Sequence, residues 1–183
     1  PQVYRIRMAA YRIDPGCMVM VTEDRKLTGL FLGLSISHNM VIPNLKSYLK
    51  GIAVSNAKIN RTCKEGADKF QVKMASLNQE VCHLSGGNQQ KVVLARWMML
   101  DPDIIILDEP TRGIDIGAKT QIYHLMRELA KQGKAIIMIS SELPEVIGMS
   151  DNIVVMFEGK ITGTLSGDGA TQDEIMRYAE NVG

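Results

Sequence analysis

The sequence predicts an α/β fold with a mostly parallel sheet, because short apolar runs alternate with longer stretches of helical pattern. Three runs carry this prediction: residues 17–21 (CMVMV), 104–107 (IIIL) and 135–139 (AIIMI). Apolar runs of this length are typical of strands buried on both faces, as in parallel sheets. The second run follows Asp101 and Pro102, where a helix is predicted to end, since proline disfavours helix in the residue before it.

The N-terminal part of the chain is only weakly patterned. Val3, Tyr4, Ile6 and Met8 could form either one strand or a turn of helix. The charged cluster at 22–26 (TEDRK) is typical of an exposed loop, since charged residues are mostly exposed.

The next part of the chain is predicted to be helical. Ser35 or Ser37 is placed to cap a helix that ends near Pro43. Residues 47–58 have the weakest pattern and predict a loop. Residues 61–74 predict a second, amphipathic helix.

Ser85, Gly86 and Gly87 open the following helix. Glycines let a backbone approach a phosphate closely, and a helix N-terminus offers free N–H groups and the positive end of a dipole. Ser85 adds a hydroxyl donor. A Ser-Gly-Gly turn by itself is more often a flexible turn and cap, so a phosphate contact is predicted only from its combination with later motifs.

Two carboxylates, Asp108 and Glu109, follow the run at 104–107. Ligands bind beyond the carboxyl ends of parallel strands. One carboxylate there can hold Mg²⁺, usually through water, while the next orients or deprotonates an attacking water. The alternative is a solvated acidic turn after a core strand.

The rest of the chain continues the alternation of helix and strand. Gly133 is placed to end a helix, and the pattern from Thr171 to Glu174 is a capping box that opens the last helix. Two adjacent strands near the C-terminus predict an edge hairpin. The predicted elements are a helix at 117–132, a strand at 135–139, a helix at 143–149, strands at 152–157 and 160–165, and a last helix to about 179.

The composition of the chain limits the classes of function that it can have. The chain has 183 residues, is 45% hydrophobic and carries 21 basic and 20 acidic side chains, which allows one core and gives no electrostatic case for nucleic acid. Its three cysteines form no CxxC pair and indicate a reducing cytoplasm, and neither they nor the histidines have metal-ligand spacing. The apolar stretches are too short to span a membrane. No signal-peptide pattern and no initiator Met open the chain, which suggests a cut or processed fragment.

The ordered set LSGGNQQK, a helix, IIILDEP and a further Asp115 resembles the signature motif, Walker B strand and D-loop of an ATP-binding-cassette ATPase. LSGGNQQK together with DEPTRGIDIGAK is similar to the energy-coupling ATPases of bacterial sugar importers of the ribose, galactose and xylose type, which carry two cassettes in one chain. VTEDRK followed by GL, and GLFLGLSISHNM, resemble segments of the same family. The resemblance covers residues 18–179 and fits the C-terminal part of the second cassette.

The resemblance implies roles for particular residues. Asp108 is implied near Mg²⁺, Glu109 as the catalytic base, and Asp115 at the contact between cassettes. Glu23 stands where most cassettes have the Q-loop glutamine, and Ser141 where most have the switch histidine. Serine donates one hydrogen bond but carries no positive charge. Ser85, Gly86 and Gly87 are implied to contact the γ-phosphate of an ATP held by the opposite cassette. Asn88, Gln89 and Glu23 are the other residues implied to bind nucleotide.

The implied fold is the P-loop NTPase-like, RecA-type fold with a helical subdomain and a C-terminal β-hairpin. No GxxxxGK[ST] phosphate loop occurs in the sequence, so the loop and its N-terminal strand are expected to be missing. Residues 1–183 are therefore predicted to form a single partial cassette domain. Its helical subdomain is predicted at about 30–100, and its core at about 17–29 and 101–183.

The expected function is that of an ATPase component, using ATP and Mg²⁺, that couples hydrolysis to import of a monosaccharide such as ribose. The expected partners are a second cassette, a transmembrane permease and, indirectly, a periplasmic sugar-binding protein, at the cytoplasmic face of the bacterial inner membrane. The alternative is a catalytically inactive remnant that only binds a permease or cassette. A cassette protein acting on ribosomes or in DNA repair is disfavoured by the charge balance. An in-frame Walker A upstream would favour the enzyme, and a start codon near residue 1 the remnant.

Overall fold

The computed structural model describes residues 2–4, 18–50 and 53–180. The chain divides into two compact units. The first comprises Pro1–Glu23, Asp103–Arg112 and Met126–Gly183, and the second comprises Asp24–Pro102 and Gly113–Leu125.

The described residues of both units form strands and helices. The strands are β1 Gln2–Tyr4, β2 Met18–Val21, β3 Leu49–Lys50, β4 Ala53–Val54, β5 Ile104–Asp108, β6 Ala135–Ser140, β7 Asn152–Phe157 and β8 Lys160–Ser166. The α-helices are α1 Ile36–Val41, α2 Asn56–Lys69, α3 Gly86–Met98, α4 Ile116–Lys131, α5 Leu143–Met149 and α6 Gln172–Ala179. A π-helical turn at Arg25–Gly29 and 3-10 turns at Ile42–Tyr48 and Val81–His83 complete them. None of these helices is both long and apolar enough to cross a membrane.

The first unit contains a six-stranded sheet in the order β2-β5-β6-β1-β7-β8. Strands β2, β5 and β6 are parallel, whereas β1 runs antiparallel to β6 and β7, and β7 and β8 form an antiparallel hairpin. The predicted α/β fold, with parallel strands in the sheet and a C-terminal hairpin, is therefore confirmed. For Val3 and Tyr4 the strand alternative is confirmed, while Ile6 and Met8 lie outside the described residues.

The core of the first unit comes from alternate residues of the strands. In β5, Ile105 and Leu107 are fully buried, and the other three residues of the strand are partly exposed. This alternation places the apolar side chains of neighbouring strands on a shared face, because successive side chains of a strand point to opposite faces. The same face holds buried residues from β2, β6 and β7: Val19, Val21, Ile136, Met138, Ile153 and Val155.

The second unit is mainly helical. Ser35 caps α1 as predicted, with its Oγ accepting a hydrogen bond from the His38 N–H at 3.2 Å. Asn39, fully buried, accepts from the Phe31 N–H at 2.8 Å and donates to the Phe31 carbonyl at 3.0 Å. These bonds satisfy a buried amide and fix the segment that leads into α1.

Two predictions in this unit are wrong. The second helix occupies Asn56–Lys69, not residues 61–74, and the predicted loop at 47–58 contains β3, β4 and the start of that helix. Ser55 caps the helix by accepting from the Lys58 N–H at 3.4 Å, a start signal that the apolar pattern does not reveal. The helix ends at Lys69, and two residues later Gln71 adopts a φ of 52°, which does not continue a helix.

The elements after Pro102 follow the predictions closely. Helix α4 begins at Ile116, and Gly133 adopts φ 88° just after it, as expected for a helix stop. Helix α5 occupies the predicted residues, and β8 extends one residue beyond the prediction. Thr171 caps α6, its Oγ1 accepting from the Glu174 N–H at 3.2 Å.

The cysteines are expected to carry no disulfide. Cys63 is a buried free thiol, Cys82 an exposed one, and Cys17 lies outside the described residues. Burial raises the pKa of the Cys63 thiol to about 11, which keeps it protonated and unreactive at neutral pH. Alkylation of native, non-reduced protein followed by mass spectrometry should label Cys82 and leave Cys63 for labelling after unfolding. Detection of a stoichiometric intrachain bridge would overturn this expectation.

Candidate functional site

The carboxyl end of β5 carries the two predicted carboxylates. Asp108 is the last residue of the strand, and Glu109 follows it with φ 46°. A positive φ is unusual for a residue with a side chain and persists only where neighbouring contacts enforce it. Here the Glu109 N–H donates to the Ile139 carbonyl of β6 at 2.9 Å. The turn after β5 is thereby held against the end of the next strand.

Glu109 contacts the predicted switch position. Its Oε1 accepts a hydrogen bond from the backbone N–H of Ser141 at 2.8 Å. The sequence suggested the Ser141 hydroxyl as the group of interest, whereas its backbone amide makes this contact. The carboxylate of the candidate base is thus oriented by the segment that follows β6.

Asp108 is the residue suited to a cation. Burial raises the pKa of its carboxyl above the ordinary value, and the neighbouring Glu109 raises this pKa further. Burial and the neighbouring carboxylate both disfavour the negatively charged form of Asp108. A divalent cation bound there would stabilise that form by supplying a positive charge. Two carboxylates in succession are also the hard oxygen ligands that Mg²⁺ prefers.

A buried carboxylate that the sequence did not indicate connects the segment after β5 to the end of β6. Glu145 of α5 is only 4% exposed and accepts hydrogen bonds from Thr111 Oγ1 at 3.1 Å and from Ser140 Oγ at 2.6 Å. Thr111 follows Glu109 by two residues, and Ser140 directly precedes Ser141. Glu145 therefore joins the backbone segments that carry the two contacting residues. In the sequence, this buried contact is indicated only by the presence of a glutamate within a short apolar helix.

Glu23 also lies in the first unit. Its carboxylate forms an ion pair with Arg112, three residues after Glu109. Both side chains are substantially exposed, so the pair contributes little to stability. The ion pair engages the Glu23 carboxylate, at the position where most cassettes have the Q-loop glutamine.

The Ser85-Gly86-Gly87 turn, called the signature turn below, lies in the second unit. Ser85 caps α3, and its Oγ accepts from the Asn88 N–H at 3.4 Å and from Asn88 Nδ2 at 2.9 Å. No acceptor for the Ser85 hydroxyl proton occurs among the described residues, so the proton is available to an incoming group. Asn88 is fixed in turn, because its Oδ1 accepts from the Lys73 N–H at 2.8 Å.

Gly86 and Gly87 are needed for close approach. A Cβ built on Gly86 would lie 2.8 Å from Arg25 Nη2, and one on Gly87 would lie 2.5 Å from the Ala118 Cβ. Both distances are shorter than van der Waals contact allows. Gly87 therefore permits a packing against Ala118 that a side chain would break. At Gly86 the flexible end of Arg25 can move, but a Cβ would still lie 3.3 Å from the Gly113 carbonyl oxygen.

Arg25 lies beside the signature turn and was not singled out from the sequence. Its Nε donates to Gln89 Oε1 at 3.5 Å, and its Nη2 donates to the Gly113 carbonyl at 3.4 Å. Gln89 is itself 5% exposed and donates from Nε2 to the Val81 carbonyl at 3.2 Å. The Gln89 amide is thus occupied by contacts within the chain that hold the turn.

Asp115 directly precedes α4 and lies near the same turn. Its Oδ1 accepts from the Ala118 N–H at 2.9 Å, as a helix cap does. A cleft of about 260 Å³ lies between the N-terminal ends of α3 and α4. Its lining combines hydroxyl, amide, carboxylate and ammonium groups, including Ser85, Asn88, Asp115, Lys73 and Lys91.

The predicted site residues thus fall into two groups. The first unit carries the pair suited to a cation and an attacking water, together with the Q-loop and switch positions: Glu23, Asp108, Glu109 and Ser141. The second unit carries the signature turn and the D-loop position: Ser85, Gly86, Gly87, Asn88, Gln89 and Asp115.

Comparison with known proteins gives concordant matches. Residues 10–112 match the family model described as ABC transporter. A putative ribose/galactose/methyl galactoside import ATP-binding protein of Geobacillus kaustophilus is 52% identical over 162 residues, covering 88% of this chain and 32% of the relative. The ribose import ATP-binding protein RbsA of Clostridium tetani is 49% identical over 160 residues, covering 87% and 32%. The chain spans about a third of the length of these curated relatives.

Solved structures share the fold. The ATP-binding cassette MJ0796, in a dimeric post-hydrolysis state bound to ADP and Pi, superposes with a TM-score of 0.69 at 23% identity. The match covers 84% of this chain and 64% of that one. A likeness at this identity establishes the fold of an ATP-binding cassette, and with it the predicted fold class.

Proposed function

Because this chain belongs to the ABC transporter family, we propose that it is part of an ATPase that couples ATP hydrolysis to the import of a monosaccharide. The observation that carries the proposal is the 52% identity, over 88% of the chain, to a protein named for ribose and galactose import. A ribose-like sugar is the proposed cargo. The sugar itself is selected by a permease and a periplasmic binding protein, not by this chain.

The first unit supplies the hydrolytic residues in this proposal. Asp108 holds Mg²⁺ and Glu109 orients or deprotonates the attacking water. The hydrogen bond from the Ser141 N–H to Glu109 Oε1, at 2.8 Å, supports this role because it fixes the direction of the carboxylate. Mg²⁺ neutralises phosphate charge when ATP is bound.

The second unit supplies contacts to an ATP held by another cassette. Ser85 offers a hydroxyl proton, the glycines let the backbone approach, and the free N–H groups of α3 face an anion. Asn88 holds the Ser85 side chain in place, and Asp115 lies at the contact between cassettes. The two-cassette arrangement is supported by the dimeric assembly named for the structurally similar cassette.

The proposed partners follow from this arrangement. They are a second cassette and a transmembrane permease, with the periplasmic sugar-binding protein acting through the permease. The proposed location is peripheral, at the cytoplasmic face of the inner membrane.

A chimera tests the proposal directly. This chain would replace the matching third of the Geobacillus kaustophilus relative, and ATP turnover and sugar uptake would be measured with that relative's permease and binding protein. We expect the chimera to hydrolyse ATP and drive uptake. We expect the purified 183-residue chain to show negligible turnover, because no phosphate loop occurs in its sequence.

Two results would contradict the proposal. A chimera that assembles with its permease but never hydrolyses ATP would favour the inactive binding module. Turnover by the isolated chain at ordinary enzyme rates, ~1 per second or faster, would show that the chain carries its own complete site. In that case a Glu109→Gln version must be inactive, since activity that survives this change comes from a contaminant.

A further inference from the structure

Three side chains of different chemistry meet on an exposed turn just ahead of the signature motif. They are Glu80, Cys82 and His83, and one ligand atom from each lies within 4.8 Å of the other two. Glu80 Oε2 lies 3.4 Å from Cys82 Sγ and 3.7 Å from His83 Nε2. All three side chains are open to solvent. The proposed function gives none of them a role.

The backbone beneath this cluster is anchored. The Val81 N–H donates to the Leu34 carbonyl at 3.1 Å, and the Cys82 N–H donates to the Leu32 carbonyl at 3.2 Å. Glu80 forms an isolated β-bridge with Ser35, and Val81 is fully buried. The three side chains therefore project from a fixed turn, which lowers the entropy lost when a ligand gathers them.

Two of the three distances between the ligand atoms fit a tetrahedral zinc site, and the third, between Cys82 and His83, is within 4.8 Å. With zinc–ligand bonds of ~2.0–2.3 Å, neighbouring ligand atoms of a tetrahedron lie roughly 3.4–3.6 Å apart. The Glu80–Cys82 and Glu80–His83 distances of 3.4 and 3.7 Å are close to these values. Small rotations of exposed side chains would complete the arrangement.

The ligand set also selects the class of metal. Thiolate and imidazole favour Zn²⁺ and similar transition metals, whereas Mg²⁺ and Ca²⁺ require oxygen ligands. Three protein ligands leave a fourth position for water or an outside ligand, as in open zinc sites. Binding replaces the thiol proton of Cys82 by the metal and releases that proton to solvent.

We propose that Glu80, Cys82 and His83 form a binding site for Zn²⁺ or a similar transition-metal ion. The site is separate from the Mg²⁺ position proposed at Asp108 and does not depend on the proposed ATPase function. The sequence spacing concealed it, because adjacent Cys82 and His83 do not follow a familiar zinc motif. A 3-10 turn, Val81–His83, brings them to the same side as Glu80.

Metal titration of the purified chain tests this site. Zn²⁺ affinity would be measured against a chromophoric chelator, and Co²⁺ would serve as the spectroscopic probe of a thiolate ligand. We expect one tight equivalent per chain and a thiolate-to-Co²⁺ charge-transfer band. Cys82→Ser should abolish the band, and Glu80→Gln and His83→Gln should each weaken binding ~10-fold or more, since even indirect supporting residues cost 10–100-fold.

The controls separate this site from other thiols and imidazoles. His124→Gln removes an exposed histidine on α4 and should leave the affinity unchanged. Bound Zn²⁺ should protect Cys82 from alkylation, as read for that peptide by mass spectrometry. The proposal is overturned if the wild-type chain binds no Zn²⁺, or if Cys82→Ser binds as tightly as the wild type. Circular dichroism of each variant verifies that the fold is retained.

Discussion

Gly86→Asp is expected to reduce ATP hydrolysis at the partner cassette by ~100-fold or more, the scale seen when a key charge-stabilising donor is lost. The new side chain places a negative charge where the backbone must approach a phosphate. The new Cβ would also lie 3.3 Å from the backbone carbonyl oxygen of Gly113, a tight contact, whereas the flexible end of Arg25, 2.8 Å away, can move aside.

The measurement is ATP turnover and sugar uptake in a full-length two-cassette protein. Gly33→Asp is the matched control, because a Cβ at Gly33 meets nothing within 4 Å and the residue is exposed. Glu109→Gln in this chain should matter less than Gly86→Asp, since Ser141 replaces the cationic histidine at this chain's own site. If Glu109→Gln abolishes activity while Gly86→Asp is tolerated, the roles of the two groups are reversed.

Glu145→Ala is expected to lower the free energy of unfolding by about 2–5 kcal/mol. The change leaves the hydroxyls of Thr111 and Ser140 buried without their acceptor, at about 1–3 kcal/mol each, and removes packed atoms from α5. Both hydroxyls belong to fully buried residues, so water does not replace the lost contacts easily. Urea unfolding of the purified chain measures the effect.

The control for this change is an exposed glutamate. Glu128→Ala removes an exposed carboxylate that pairs with Lys131 on the surface, and the free energy of unfolding should change by less than about 0.5 kcal/mol. Glu145→Gln should be milder than Glu145→Ala, because one acceptor oxygen remains. Equal stability of Glu145→Ala and wild type would show that the buried cluster is not a structural link.

The sequence predicted the elements whose signals are local. Buried strands such as β5 and β6 are short apolar runs, and α5 has a proline in its first turn. Helix α2 was misplaced because its start depends on the Ser55 cap, whereas its apolar residues continue into the segment after the helix. The pairing of β3 with β4 was missed because two-residue strands carry no period.

The motif residues of the candidate site were named from the resemblance, and their roles stay predictions, whereas the contacts that support them were not predicted. The resemblance located Glu109 and Ser85 by motif, and the structure adds the hydrogen bonds that orient them. Glu145 and Arg25 act across long sequence separations, so no local pattern could connect Glu145 to Thr111 or Arg25 to Gly113. The metal-ligand cluster was missed for the opposite reason, because its residues are too close in sequence to resemble a spaced motif.

Strand β2 has a practical consequence for handling the isolated chain. It is an edge strand among the described residues, and its outward side chains, Met18 and Met20, are 53% and 45% exposed. An edge that combines open backbone groups with apolar side chains is a template for another chain, and natural proteins protect such edges with lysine. Among the described strands, this edge is where we expect aggregation of the purified chain to begin. Lysine at Met18 or Met20 would oppose it without disturbing the core, because Val19 and Val21 alone face inward.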